Sequence, residues 1–364
     1  MTFARTRVEK VYPHTLLSIK GVYNGGSSTE LFSRGNATAK FEPTSRLKYG
    51  ASGSEALYIG GYDETNDRDI PFGVLKSFAN PAITVIFHGY MISHGSHDDK
   101  RWYHGCGSDE DNLMILGGMM ASTNNTANCQ MKQFYDSSNC VLHGEMSQDR
   151  TGLSTAVNGD ECIATGGSSD NVSLAYTDKK LFSTNSTGVQ HADLTASQRD
   201  GIAVGSDSAD ILAAGGGQHN LREPISSIDN YIQKFSFASS TAAVSYGTLA
   251  QPIVAPSWGS DGGDLVVLGG RTDGNVVLQT GVRISFSRSG THTKWGQLVE
   301  QKAWGVACSD SVNIMISGGS SVANFQSAYT TDLCERISFA DESSATNFGS
   351  IGFKYIDHSG APGG

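Results

Sequence analysis

The densest set of potential metal ligands runs from His88 through His94, His97, Asp98 and Asp99 to His104. Imidazoles and carboxylates in such proximity could coordinate a transition metal. A second set, Asp63-Glu64-Thr65-Asn66-Asp67-Arg68-Asp69, crowds oxygen donors of the kind that hold calcium. It lacks the EF-hand spacing and the closing bidentate glutamate. Asp109, Glu110 and Asp111 form a third acidic group, and their place in a repeat explains them as a turn. Cys106, Cys129, Cys140, Cys162, Cys308 and Cys334 show neither zinc spacing nor a disulfide framework. Only Cys129 and Cys140 are placed for a bridge across a hairpin. Cys106, Cys162 and Cys308 fall in or beside expected strands, where a thiol packs as a small apolar group. No nucleophile elbow, phosphate loop or HExxH motif is present. The residues therefore point to no catalytic group, no metal site and no cofactor, and leave the binding residues unknown.

The elements that position these groups are repeats. Six apolar runs each close on a glycine pair: Leu57 to Gly61, Met114 to Gly118, Ile163 to Gly167, Leu212 to Gly216, Val266 to Gly270 and Met315 to Gly319. Their spacings of 57, 49, 49, 54 and 49 residues are those of a kelch-type β-propeller. After the glycines comes an apolar-Ser-Phe triplet, as in Phe235-Ser236-Phe237, Ile284-Ser285-Phe286 and Ile337-Ser338-Phe339. Nine residues beyond each Phe stands an aromatic-Gly-x-aliphatic tetrad: Tyr246 to Leu249, Trp295 to Leu298 and Phe348 to Ile351. His143 and His191 occupy the same offset, and His88 lies one residue further, so these three histidines are expected to be packing rings. Ser108-Asp109, Ser206-Asp207, Ser260-Asp261 and Ser309-Asp310 precede the glycine pairs by nine residues and suit tight turns. Ser287 to Trp295 resembles the Asp-box turn of sialidases, but the defining aspartate is absent, with Ser289 near its place, and the segment reads as the link from triplet to tetrad.

Taking each tetrad as the start of a unit, blades begin near residues 41, 88, 143, 191, 246 and 295. The unit opened by Phe348 is cut short, and residues 1–40 contain a shortened strand, Gly25-Gly26 and a second strand. The expected fold is therefore a single all-β domain over 1–364, a propeller of seven blades whose last blade joins 348–364 to 1–40. Six blades with an N-terminal appendage is the alternative. Such a splice leaves no open sheet edge.

Forty-four glycines against eight prolines suit many short turns, and 38% hydrophobic residues can fill a core spread between sheets. A formal net charge of −10 argues against general nucleic-acid binding, which relies on basic surface. No run approaches the ~18 apolar residues of a membrane span. Met1 to Gly21 carries charges and a proline but no apolar block, so a secretory signal is not expected.

Over Asn230 to Ser350, and more weakly back to Leu31, these units resemble kelch-like repeats in virion proteins of tailed bacteriophages. The histidines at three tetrads, the long second unit and the absence of the Tyr/Trp pair of cellular kelch repeats are departures. The resemblance implies a non-enzymatic tail protein or capsid accessory, assembled in the host cytoplasm and carried in the virion. Its partners would be other virion proteins and a host-surface glycan, with propeller loops as the contact. A kelch-fold enzyme of galactose-oxidase type and a cytosolic kelch adaptor are the alternatives.

Overall fold

The computed structural model describes, within residues 1–54, the backbone of 11–12, 17–23, 26–32 and 38–39. From 55 to 360 it describes the chain except 60–61, 64–67, 70–72, 83, 86–88, 92–100, 103, 110, 121–123, 135, 137, 170–171, 196–200, 219–226, 293, 323–329, 342–343 and 352–358. The chain divides into two compact units, Met1–Leu47 and Lys48–Gly364. In the smaller unit Leu17–Tyr23 pairs antiparallel with Gly26–Phe32, and Val11–Tyr12 with Thr38–Ala39.

The described residues of the larger unit contain strands and no helix, in a β-propeller-like arrangement. Five blades each take four strands from one continuous stretch in simple antiparallel order, and the blade that begins at Ala203 gains a fifth, Gly290–His292 of the following repeat, parallel to its outer strand. Their innermost strands are Gly105–Ser108, Ser154–Asn158, Ala203–Ser206, Ser257–Ser260 and Val306–Ser309. Their outer strands are Val141–Glu145, Val189–Asp193, Val244–Leu249, Lys294–Gln297 and Thr346–Ser350. A sixth sheet is spliced, with the order Ser359–Gly360, Glu55–Ile59, Gly73–Ser77, Thr84–Val85.

Seven blades closed by both termini is therefore corrected. Each tetrad ends a blade instead of opening one, because Tyr246, Trp295 and Phe348 lie on outer strands. The strand missing at the start of the repeats is consequently an innermost one, and Ser359–Gly360 supplies it by pairing with Ile59 and Tyr58. The described N-terminal strands pair only with each other. Phe41 lies outside the described residues.

The apolar runs before the glycine pairs are second strands, and they are buried along nearly their whole length. A blade packs against a neighbour on each face, so both sets of alternating side chains lose water. Each fully buried aliphatic contributes roughly 1.5–3 kcal/mol. The resulting clusters join successive sheets. Leu57 and Leu75 of the spliced sheet meet Cys106, Ile115 and Phe134 on one side. On the other, Tyr58, Val74 and Phe78 meet Met315 and Phe348 of the last blade, which closes the circle.

The turn residues act as expected. The Oδ1 of Asp109, Asp207, Asp261 and Asp310 accepts the backbone N–H three residues on, at 2.7, 2.7, 2.8 and 2.5 Å. Tetrad aromatics do pack between blades: Trp295 sits with Ile314, Ile316 and Ile337 of the following blade. His143 and His191 play the same part, each buried with Nε2 donating to the next blade, to Leu181 O at 3.0 Å and Ser236 O at 2.7 Å. The tetrad glycine has a steric cause, since a Cβ on Gly144 would lie 2.5 Å from Ser186 O. There the link of the next blade crosses the outer strand, and its N–H groups bond back: Gly188 to Glu145 O, Ala243 to Asp193 O and Ala345 to Gln297 O, at 2.7, 2.7 and 2.6 Å. A link that must cover its neighbour's edge has little freedom in length, which accounts for the constant nine-residue offset.

A further element of the repeat escaped the sequence reading. Three residues before the triplet Phe stands a cation that reaches across to the carbonyl of the next blade's Phe. Lys179 bonds Phe237 O, Lys234 bonds Phe286 O, Arg283 bonds Phe339 O and Arg336 bonds Phe78 O, at 2.7, 2.9, 2.7 and 2.8 Å. The last of these joins the final blade to the spliced sheet. A charged donor strengthens each such bond.

Candidate functional site

Antiparallel order puts the loops from second to third strands at the same end of each blade as the linkers to the next blade. The other end carries the aspartate turns and the nine-residue links, which are short and nearly constant. The glycine-pair end is where the chain varies. Immediately after the glycines the backbone folds into a short ribbon in every repeat among the described residues. These are Tyr62–Asp63 with Arg68–Asp69, Met119–Met120 with Asn124–Asn125, Ser168–Ser169 with Val172–Ser173, and Gly217–Gln218 with Ser227–Ile228. In the last two repeats, Arg271 bridges Val254 and Val277, and Ser320 bridges Ala303 and Thr330.

The glycine pair fixes how each ribbon joins its blade. Gly118 N, Gly216 N and Gly270 N donate to Arg150 O, Ile253 O and Lys302 O at 2.8, 2.8 and 2.9 Å. A Cβ on Gly117 or Gly215 would fall 2.5 Å from the same carbonyl. Both glycines are left-handed, with φ of 60° and 69°, a region that costs other residues about 1–2 kcal/mol. The linker carbonyl is thus clamped to the blade, and its side chain projects toward the next one.

Neighbouring ribbons are tied by polar contacts. Asn125 Nδ2 donates to Ser168 O at 3.3 Å, Ser169 Oγ to Asp149 at 3.0 Å, and Gln301 Nε2 to Ser321 O at 2.8 Å. Beneath them Arg150, wholly buried, bonds Gly166 O, Tyr176 O and Asp178, and lies 4.6 Å from the Tyr176 ring centroid. Burial, the larger influence, raises the Tyr176 phenol above its ordinary value against the opposing Arg150 charge. The result is a polar, rigidly founded face with variable tips, the arrangement in which binding residues usually sit.

The candidate chemical groups are dispersed. His88, His94, His97, Asp98 and Asp99 lie outside the described residues, as do Glu64 to Asp67 and Glu110. Asp63 and Asp69 stand on the first ribbon. His104 is buried, with Nε2 3.1 Å from Ile59 O. Asp109 is a turn acceptor, and Ser287 lies in the link between triplet and tetrad. Cys129 and Cys140 are buried in separate apolar clusters and form no disulfide, so the hairpin bridge is absent. Among the described residues no three His, Cys, Asp or Glu side chains converge closely enough to hold a metal ion. No described helix is long and apolar enough to cross a membrane.

Sequence reasoning missed Asp229, Arg271, Asp273 and Trp304 on the ribbon end. One signal was available. Two residues before the inner strand, Gly152 and Gly201 mark a left-handed position, and Trp304 occupies it in the last blade. No protein-family model matches this chain, and no curated protein matches its sequence.

Proposed function

We propose that the chain is a kelch-type propeller that serves as a non-enzymatic component of a tailed-phage virion, assembled in the host cytoplasm. In this reading the ribbon end presents its loops to a host-surface glycan or a neighbouring subunit. The observation that carries it is the asymmetry of the two ends. One end is held to near-constant turns and links, while the other mounts ribbons of variable length and Ser, Asn, Thr and Gly-rich composition on the same rigid blades. A repeat kept uniform where blades join and free where they face outward suits display. The kelch-like register and its resemblance to phage virion repeats supply the particle context.

Mass spectrometry of particles purified from a lysate of the host that carries the gene tests this directly. The chain should be present at several copies per particle. Its absence from intact virions would overturn the assignment. Stoichiometric copper and oxidase activity in the purified chain would replace it with the enzyme alternative.

A further inference from the structure

Trp304 stands where the fold disfavours it. The residue two before the inner strand is left-handed in four successive blades: Gly152 at φ 65°, Gly201 at 68°, Ala255 at 52° and Trp304 at 58°. Glycine meets that demand without strain. A large side chain there costs about 1–2 kcal/mol relative to ordinary backbone. Strain retained at an exposed end of the molecule is a reason to look for a role.

The surroundings hold the indole in place. Its backbone N–H donates to Ala255 O at 2.9 Å. Its ring, half-buried, packs against Ile228, Val254 and Ala255. The Arg271 guanidinium lies 5.3 Å from the ring centroid, and Arg271 is itself buried and bridged through its backbone to Val254 and Val277. Two carboxylates adjoin these residues along the chain, and the Asp229 carbonyl accepts from Ile253 N, next to Val254, at 3.3 Å. Asp229 follows Ile228, and Asp273 lies two residues beyond Arg271 on an exposed turn. Burial first, and then the Asp273 charge, raise Asp229 above the usual carboxylate range.

We propose that Trp304, Asp229 and Asp273 form a subsite for one neutral pyranose residue of a surface glycan; this rests on the display reading above and gives it a location. An indole face offers a flat apolar platform for the C–H surface of a sugar, while the two carboxylates accept hydrogen bonds from its hydroxyls. Arg271 already supplies the cation attracted to the indole, so a second cation is disfavoured and a neutral ligand is selected.

The test titrates the full-length protein with the methyl glycosides of glucose, galactose, mannose and N-acetylglucosamine, followed by indole fluorescence and calorimetry. At least one should bind saturably, and Trp304→Gly should weaken that binding by about tenfold or more. The same variant should remain folded with a modest change in melting temperature, because relief of the left-handed strain offsets part of the packing lost with the indole. Asp273→Asn should weaken binding with the melting temperature unchanged. No saturable binding to any glycoside, or undiminished binding by Trp304→Gly, would overturn the subsite. A chain found in virions but blind to all four glycosides would lose the sugar site and keep the display role. A chain absent from virions that binds a glycoside through Trp304 would do the reverse.

Discussion

Between the blade that begins at Gly105 and the one that begins at Ser154, Arg150 and Asp178 meet at 2.7 Å with side chains 0% and 1% exposed. Between the blades that begin at Ala203 and Ser257, the same two repeat positions hold Ile253 and Val282, which share an apolar cluster. A third boundary, before the last blade, returns to charge, with Lys302 and Glu335 at 2.6 Å and both fully buried. The backbone explains the alternation. The first N–H after each tetrad must find an acceptor across the boundary. Ser147 N uses Asp178 Oδ2 at 3.1 Å, Thr195 N uses Gln233 Oε1 at 2.5 Å, and Val299 N uses Glu335 Oε2 at 2.6 Å. Val282 offers no acceptor, and there Ala250 N bonds His292 O at 3.2 Å instead. His292 belongs to Gly290–His292, the extra strand parallel to Val244–Leu249. The acidic side chain therefore serves a backbone donor first, and Arg150 or Lys302 neutralises it. Where the side chain offers no acceptor, as at Val282, a link segment becomes a strand.

The comparison breaks most readily at Asp178. Asp178→Ala leaves Arg150 buried without its counter-charge and Ser147 N without its acceptor, and should cost about 3–5 kcal/mol in urea unfolding. A loss under about 1 kcal/mol would mean that water reaches the pair. Gly117→Ala and Gly215→Ala come next, at roughly 1–2 kcal/mol each from the left-handed backbone alone, to which the clash with the linker carbonyl adds. The two should agree, because the glycine clamp is common to charged and apolar boundaries; a clear difference in unfolding free energy would show that the side chains alter the clamp. The double change Lys302→Met with Glu335→Gln copies the uncharged Gln233 solution and should lie within about 1 kcal/mol of the parent protein. Glu335→Ala alone should fall well below it.

The smallest expected effect is a pH dependence. Burial is the main cause that lowers the His143 and His292 imidazoles below their ordinary value, one at a charged boundary and one at the apolar boundary. A lowered folded-state value favours the neutral ring, so this stability is complete above about pH 6.5 and is lost as pH falls below it. The melting temperature should decline on acidification, and His143→Phe, which copies Phe348, should flatten part of that slope. An unchanged slope would place the titration elsewhere.

Much of the ring was legible before any coordinates. Alternation in Ile284-Ser285-Phe286, the aspartate turns and the glycine pairs are local patterns, and each formed the strand or turn that its chemistry demands. The tetrad was placed correctly between blades yet assigned to the wrong end of its unit. A tetrad that ends one blade and a tetrad that begins the next have the same spacing in sequence. The cations of the triplet strand were passed over because a lone Lys or Arg on a strand looks like a solvated residue until its neighbour's carbonyl is in view.

Sequence alone determined the kind of element, its period and its buried face, since these depend on residues a few positions apart. Tertiary structure decided which terminus completes the circle, because Ser359–Gly360 and Glu55–Ile59 compete with no local signal for that pairing. It also decided that Asp178 faces Arg150, and that Trp304 stands with Arg271. Most of those contacts span tens of residues or join neighbouring blades, and only the folded ring brings their members within reach.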